Sequence, residues 1–227
     1  MNRRLALLVL PLLLAVAGCT GGPADDPAPR PAAAERPSPF RDCAALSTAP
    51  TATPPGAATP AAPGSGTTAP DSGVATPATS GAAPGGGQAL PELTLPCFTG
   101  GAPIALRDVA GPAVINVWAS WCPPCQKELP AFQRLSERAA GQLQVLGVNS
   151  RDTRSAARSI GEDFGIRFPV LVDQGEALQR ELERMFFPMT IFVDADGRVR
   201  HIDVSGALDD AQLAKLVRQH LGLVVSA

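Results

Sequence analysis

Residues 118–125, Trp-Ala-Ser-Trp-Cys-Pro-Pro-Cys, constrain this chain more than any other stretch. An apolar run at 113–117 precedes them and reads as a buried strand, and a segment with helical periodicity follows at 126–139. Two cysteines separated by two residues at a strand-to-helix junction are a redox dithiol pattern. A helix N-terminus favours a thiolate through its dipole and its unpaired N–H groups. The thiolate is the attacking species in thiol–disulfide exchange, so Cys122 is the expected nucleophile. Cys125, one turn in, is the expected resolving thiol, and together they form the expected redox disulfide. Pro123 and Pro124 hold the helix start rigidly but both lack an N–H. A donor that other dipeptides would offer the Cys122 sulfur is therefore missing. Its pKa should be lowered less than in strongly oxidising dithiols, which fits a reductant. Half a zinc site has the same cysteine spacing, but zinc needs further Cys or His ligands. The only histidines, His201 and His220, are not spaced with the motif, and they read as surface residues. No metal and no cofactor is expected.

The five cysteines leave an odd one to explain. Asn2-Arg3-Arg4 followed by an apolar run at 5–17, too short to span a bilayer comfortably, has the build of a secretory signal peptide, residues 1–18. Its end, Val16-Ala17-Gly18-Cys19, resembles a bacterial lipobox, which makes Cys19 the expected lipidation site and new N-terminus. The lipid would then tether the chain to the outer leaflet of the cytoplasmic membrane, where disulfides persist. The other reading is an ordinary signal peptide with a chance cysteine.

Of 24 prolines, 14 lie between Pro23 and Pro84, where large apolar residues are nearly absent, so that stretch cannot bury enough surface to order itself. Residues 19–88 are expected to be a lipid-anchored, disordered Pro/Ala/Thr/Gly-rich linker, and 89–227 the folded domain. One island interrupts the linker, Phe40-Arg41-Asp42-Cys43-Ala44-Ala45-Leu46. With Cys19 lipidated and Cys122 paired with Cys125, Cys43 and Cys97 remain, and a structural disulfide between them is the economical assignment. Two free thiols, or Cys97 as a further redox partner, are the alternatives. A net charge of −2 gives no electrostatic case for nucleic acid.

Within the domain, short strands are expected at 92–97 and 104–106, then strands at 113–118, 142–149 and 168–172. Helices are expected at 126–139, 152–164 (capped by Asp152 or Thr153) and 176–185. A hairpin at 189–193 and 198–204 and an amphipathic helix at 209–221 close the chain. This is an α/β domain with a mixed central sheet flanked by helices.

The order strand, Trp-Cys-Xaa-Xaa-Cys, helix, strand, helix, strand–Pro–strand resembles a thioredoxin-like fold. Residues 114–130 resemble the extracytoplasmic TlpA/ResA-like branch, with the match running from about 90 to 221. The resemblance implies a thiol–disulfide oxidoreductase acting on exported protein thiols and disulfides. It would reduce, for instance, apocytochrome c cysteines before haem attachment, with a membrane thiol-transfer protein as its electron source. It implies that Glu128, three residues after Cys125, sits beside the dithiol and exchanges a proton with Cys125; otherwise Glu128 is a solvated helix acid. Asn116 stands where thioredoxin itself has a buried acid. Pro188 matches the fold's cis-proline, which lies against the dithiol and leaves a strand edge for an extended substrate segment. Phe186 and Phe187 are larger than the residues usual before this proline, through either a greasier substrate groove or core packing. Trp121 and Pro123 are expected with Phe187 on the substrate-facing rim. Copper-delivery relatives use another cysteine spacing plus a His. Peroxidases of this fold carry a Thr-Xaa-Xaa-Cys site, which is read as absent. The rival functions are an oxidant for disulfide formation, a non-catalytic redox sensor or binding module, and a structural surface protein.

Overall fold

The computed structural model describes residues 37–50 and 87–226. The expected signal peptide, the lipidation site Cys19 and most of the linker lie outside the described residues. The strands are β1 (Gln88–Ala89), β2 (Thr94–Leu95), β3 (Ile104–Ala105), β4 (Ala113–Trp118), β5 (Gln144–Ser150), β6 (Val170–Asp173), β7 (Met189–Val193) and β8 (Arg198–Asp203). The α-helices are α1 (Pro123–Arg138), α2 (Arg154–Asp163), α3 (Ala177–Glu181) and α4 (Asp210–Leu221).

Six strands form one mixed sheet in the order β1-β8-β7-β4-β5-β6. The pairs β4–β5 and β5–β6 are parallel, and β1–β8, β7–β8 and β4–β7 are antiparallel. β2 and β3 form a separate pair. Every residue of β4 is buried. That is the physical reason its sequence is a continuous apolar run and not an alternation: both faces of the strand are covered. The strand period of two divides its side chains between two cores. Val114 and Trp118 pack with α1 and α4 through Leu129, Phe132, Leu213 and Val217. Ile115 and Val117 pack on the opposite face with Leu46, Leu95, Leu178 and Ile191. The sheet's centre thus presents the C-terminal end of β4 to the turn that carries the two cysteines.

Three sequence expectations change. The 176–185 helix is only α3, because Glu183 adopts a left-handed backbone (φ 53°), which no α-helix can carry through. The strands expected at 92–97 and 104–106 shrink to two residues each. The boundary at residue 89 also moves: 37–50, expected in the linker, fold onto the domain. Phe40 enters one core and Cys43 and Leu46 the other. The Phe40 ring lies so close to α2 that a Cβ on Gly161 would stand 2.6 Å from it, so only glycine admits this approach. Cys43 and Cys97 are disulfide-bonded with Cα atoms 6.0 Å apart, which ties the island to the residue that bridges Leu171 at the end of the sheet.

Candidate redox site

Cys122 is the N-cap of α1, with Pro123 and Pro124 at the first two helical positions. Neither proline has an N–H to give, so the first free amide of the helix is that of Cys125. It donates to the Cys122 sulfur over 3.2 Å. This is the side-chain-to-N3 bond of an ordinary N-cap, made by sulfur in place of a hydroxyl or carboxylate. Cys122 and Cys125 are disulfide-bonded, with Cα atoms 5.3 Å apart. Cys125 is fully enclosed and Cys122 is 3 % exposed, so only the Cys122 edge of the bond reaches solvent. α1 then continues through Pro130.

The rim around that edge is aromatic. Trp121 is half-exposed, and its ring meets half-buried Phe187 edge-to-face at 5.1 Å. Its indole N–H donates to the Arg151 carbonyl at 2.8 Å, and the Arg151 guanidinium lies 5.8 Å from the ring centre. Pro123 is exposed beside Cys122. The Phe187–Pro188 peptide is cis and Pro188 is buried. The neighbouring Met185 and Phe186 are exposed, at 52 % and 54 %. Phe186 therefore belongs to the surface and not to the core. A second cis peptide, Gly111–Pro112, carries no signal in the sequence that sets it apart from other X–Pro bonds.

Glu128 is 1 % exposed, so it is not a solvated helix acid. Its spacing from Cys125 puts it on the same side of α1. Its carboxylate accepts from Asn116 Nδ2 at 2.5 Å and from the Leu208 N–H at 3.1 Å. Burial pushes its pKa up to about 7; the Leu208 and Asn116 hydrogen bonds oppose the rise and the nearby Asp203 carboxylate adds to it. A buried acid that changes protonation state near neutral pH thus sits one helical turn from the inner cysteine.

The sequence offers Asp152 only as a possible helix cap, but Thr153 holds that position. Asp152 instead braces the turn that presents Trp121 and Cys122. It accepts from the Ser120 N–H (2.5 Å), the Ser120 hydroxyl (2.6 Å), Asn149 Nδ2 (2.8 Å) and the Thr153 N–H (2.8 Å). The available signal was its position just past β5, at the same end of the sheet as the cysteines, where α/β sheets gather their sites.

His201 and His220, expected on the surface, are partly buried and stack on each other at 4.0 Å against Phe192. Burial first, and then His201, lower the pKa of His220. Among the described residues no cluster of three or more His, Cys, Asp or Glu side chains is arranged to hold a metal ion. The Thr-Xaa-Xaa-Cys spacing read as absent does occur once, at Thr94–Cys97. Its cysteine is bonded to Cys43 and does not begin a helix, so it lacks the setting of a reactive thiol.

A mixed sheet with the dithiol at the start of its first long helix and a buried cis-proline directly after Phe187 of the rim defines a thioredoxin-like domain of the thiol–disulfide oxidoreductase class. The AhpC/TSA family matches residues 86–202, just over half of the sequence, and the chain belongs to that family. It is 30% identical over 122 residues to Thioredoxin-like protein YneN of Bacillus subtilis (strain 168), covering 52% of this chain and 71% of that one. It is 29% identical over 101 residues to Thiol-disulfide oxidoreductase ResA of Bacillus anthracis, covering 44% of this chain and 58% of ResA. Among solved structures, a secreted thiol-disulfide isomerase from Corynebacterium glutamicum is similar at a TM-score of 0.50 and 26% identity, over 59% of this chain and 83% of that one. A DsbF homologue from Corynebacterium diphtheriae shares the fold at a TM-score of 0.52 and 24% identity, over 58% and 85%.

Proposed function

We propose that the chain is a membrane-tethered, extracytoplasmic reductase of disulfides in exported proteins, with apocytochrome c as a candidate substrate. The observation that carries this reading is the Cys122–Cys125 pair at the start of α1, with the Cys125 N–H on the Cys122 sulfur. In the reduced protein the Cys122 thiolate attacks one sulfur of a substrate disulfide. A mixed disulfide forms and one substrate thiolate leaves. Glu128 takes the Cys125 proton. The Cys125 thiolate then attacks Cys122, the mixed bond breaks, and the second substrate thiolate leaves. Two electrons have passed to the substrate and the Cys122–Cys125 bond remains. A membrane thiol-transfer protein restores the dithiol.

Trp121, Pro123 and Phe187 form the rim against which an extended substrate segment docks, with the buried cis-Pro188 next to Phe187 setting the course of the backbone there. Cys19 carries the lipid, and the residues between it and the domain give the site its reach from the membrane. A reductant, not an oxidant, is favoured by the two prolines, which leave one first-turn amide to stabilise the thiolate. Insulin reduction by the full chain tests the reading: wild type is expected to turn over and Cys122→Ser to be inactive. Equal rates would overturn it.

A further inference from the structure

Both oxygens of the Glu128 carboxylate face donors. Oε1 receives a hydrogen from Asn116 Nδ2 and Oε2 receives one from the Leu208 N–H. That arrangement suits a carboxylate, which only accepts. It leaves the O–H of the carboxylic acid without an acceptor, because both of these partners are donors. Yet burial pushes this group toward the acid. The acceptor the acid needs is on the same neighbour. Among the described residues, the buried Asn116 Oδ1 has no partner. The last torsion of an asparagine is broad and roughly two-fold, so a half-turn exchanges Nδ2 for Oδ1 without moving the strand.

We propose that Asn116 is a positioning residue whose amide turns with the protonation state of Glu128, Nδ2 toward the carboxylate and Oδ1 toward the acid. The proposal rests on Glu128 being the proton carrier of the dithiol reaction. With the amide turned, the Glu128 O–H donates to Oδ1 and the other oxygen still accepts from Leu208. One amide atom is left unpaired in either state, Oδ1 in one and Nδ2 in the other, so the residue locks Glu128 into neither form. An aspartate at 116 would set a second buried charge against Glu128, and a leucine would serve neither state. Among the described residues, the other groups that bear on Glu128 are the dithiol, one turn away on its own helix, and Asp203 on β8, which lies 3.7 Å from His201 and is felt by His220. A pH profile of activity alone would mix these groups, so the test must read the amide itself.

The full chain has three asparagines, Asn2, Asn116 and Asn149, so asparagine-selective 15N labelling gives three side-chain amides. The oxidised protein is titrated by NMR, with Glu128 followed through its carboxyl 13C. The Asn116 amide is expected to shift with the same midpoint as Glu128, near pH 7, and to stop doing so in Glu128→Gln. In Asn116→Leu the carboxylate loses a charge-assisted donor and the acid loses a weaker neutral acceptor, so the Glu128 midpoint is expected to rise by less than about one unit. An Asn116 amide that stays still while Glu128 titrates overturns the proposal, as does a titration that persists in Glu128→Gln. The wild-type titration decides the matter even where Asn116→Leu fails to fold. No turnover is involved, so a motionless amide leaves the reductase reading intact, and a failed insulin assay leaves the amide titration unchanged.

Discussion

Replacing Glu128 with glutamine removes the buried carboxyl and should change how stability depends on pH. In the folded chain the group is held at about 7, against an ordinary value of 4.5. Below pH 4.5 folded and unfolded chains both hold the proton, and the favourable effect of the raised pKa is fully present. As pH rises from 4.5 to 7 the unfolded chain releases its proton and the folded chain keeps it, so stability falls. Above 7 the loss is complete. At about 1.4 kcal/mol per unit, the shift corresponds to about 3 kcal/mol. The assay is urea denaturation of the oxidised full chain between pH 4 and 9, for wild type and Glu128→Gln. Subtracting one curve from the other cancels every other titrating group. Wild type is expected to lose about 3 kcal/mol relative to the variant across the range, whatever constant offset the glutamine introduces. A flat difference, or one that favours wild type as pH rises, would refute the account of Glu128 as a buried acid.

Pro124→Ala restores an N–H in the first turn of α1. A further donor to the Cys122 thiolate stabilises the reduced form by roughly 1.5–3 kcal/mol and should raise the reduction potential by about 30–60 mV, read by glutathione equilibration. The Cys43–Cys97 bond closes a sequence separation of 54; the double serine variant should lose up to about 4 kcal/mol in urea denaturation and keep its dithiol activity. Asp152→Ala strands the donors of Ser120 and Asn149, which should cost roughly 2–3 kcal/mol of stability and lower the insulin-reduction rate.

Local signals carried much of this structure. The run at 113–118 has no polar break except Asn116, and β4 occupies those residues. The capping pair Asp209 and Gln212 and the αL residue Gly222 bound α4 close to where periodicity placed it. The dithiol and the Cys43–Cys97 pair followed from cysteine arithmetic, and the cis bond at Pro188 from resemblance. What escaped depends on contacts distant in sequence. Phe40 reaches its core through a gap that only Gly161 leaves, some 120 residues away. Asp152 looks like any helix-capping acid until Ser120 folds over it. Asn116 and Glu128 each gave a hint, but only the packing of α1 on β4 shows that one hydrogen-bonds the other. α3 ends where Glu183 turns left-handed, and the sequence there contains no glycine to announce it.

In the proposed reaction Cys122 attacks the substrate first and Cys125 resolves the mixed disulfide second. Cys125→Ser should halt the reaction at the mixed disulfide. Mixed with a peptide disulfide and mapped by mass spectrometry under non-reducing conditions, the full-chain variant should carry one peptide, on Cys122, with Cys43 and Cys97 still joined to each other. A peptide attached at Cys43 or Cys97, or no adduct on Cys122 at all, would contradict the account.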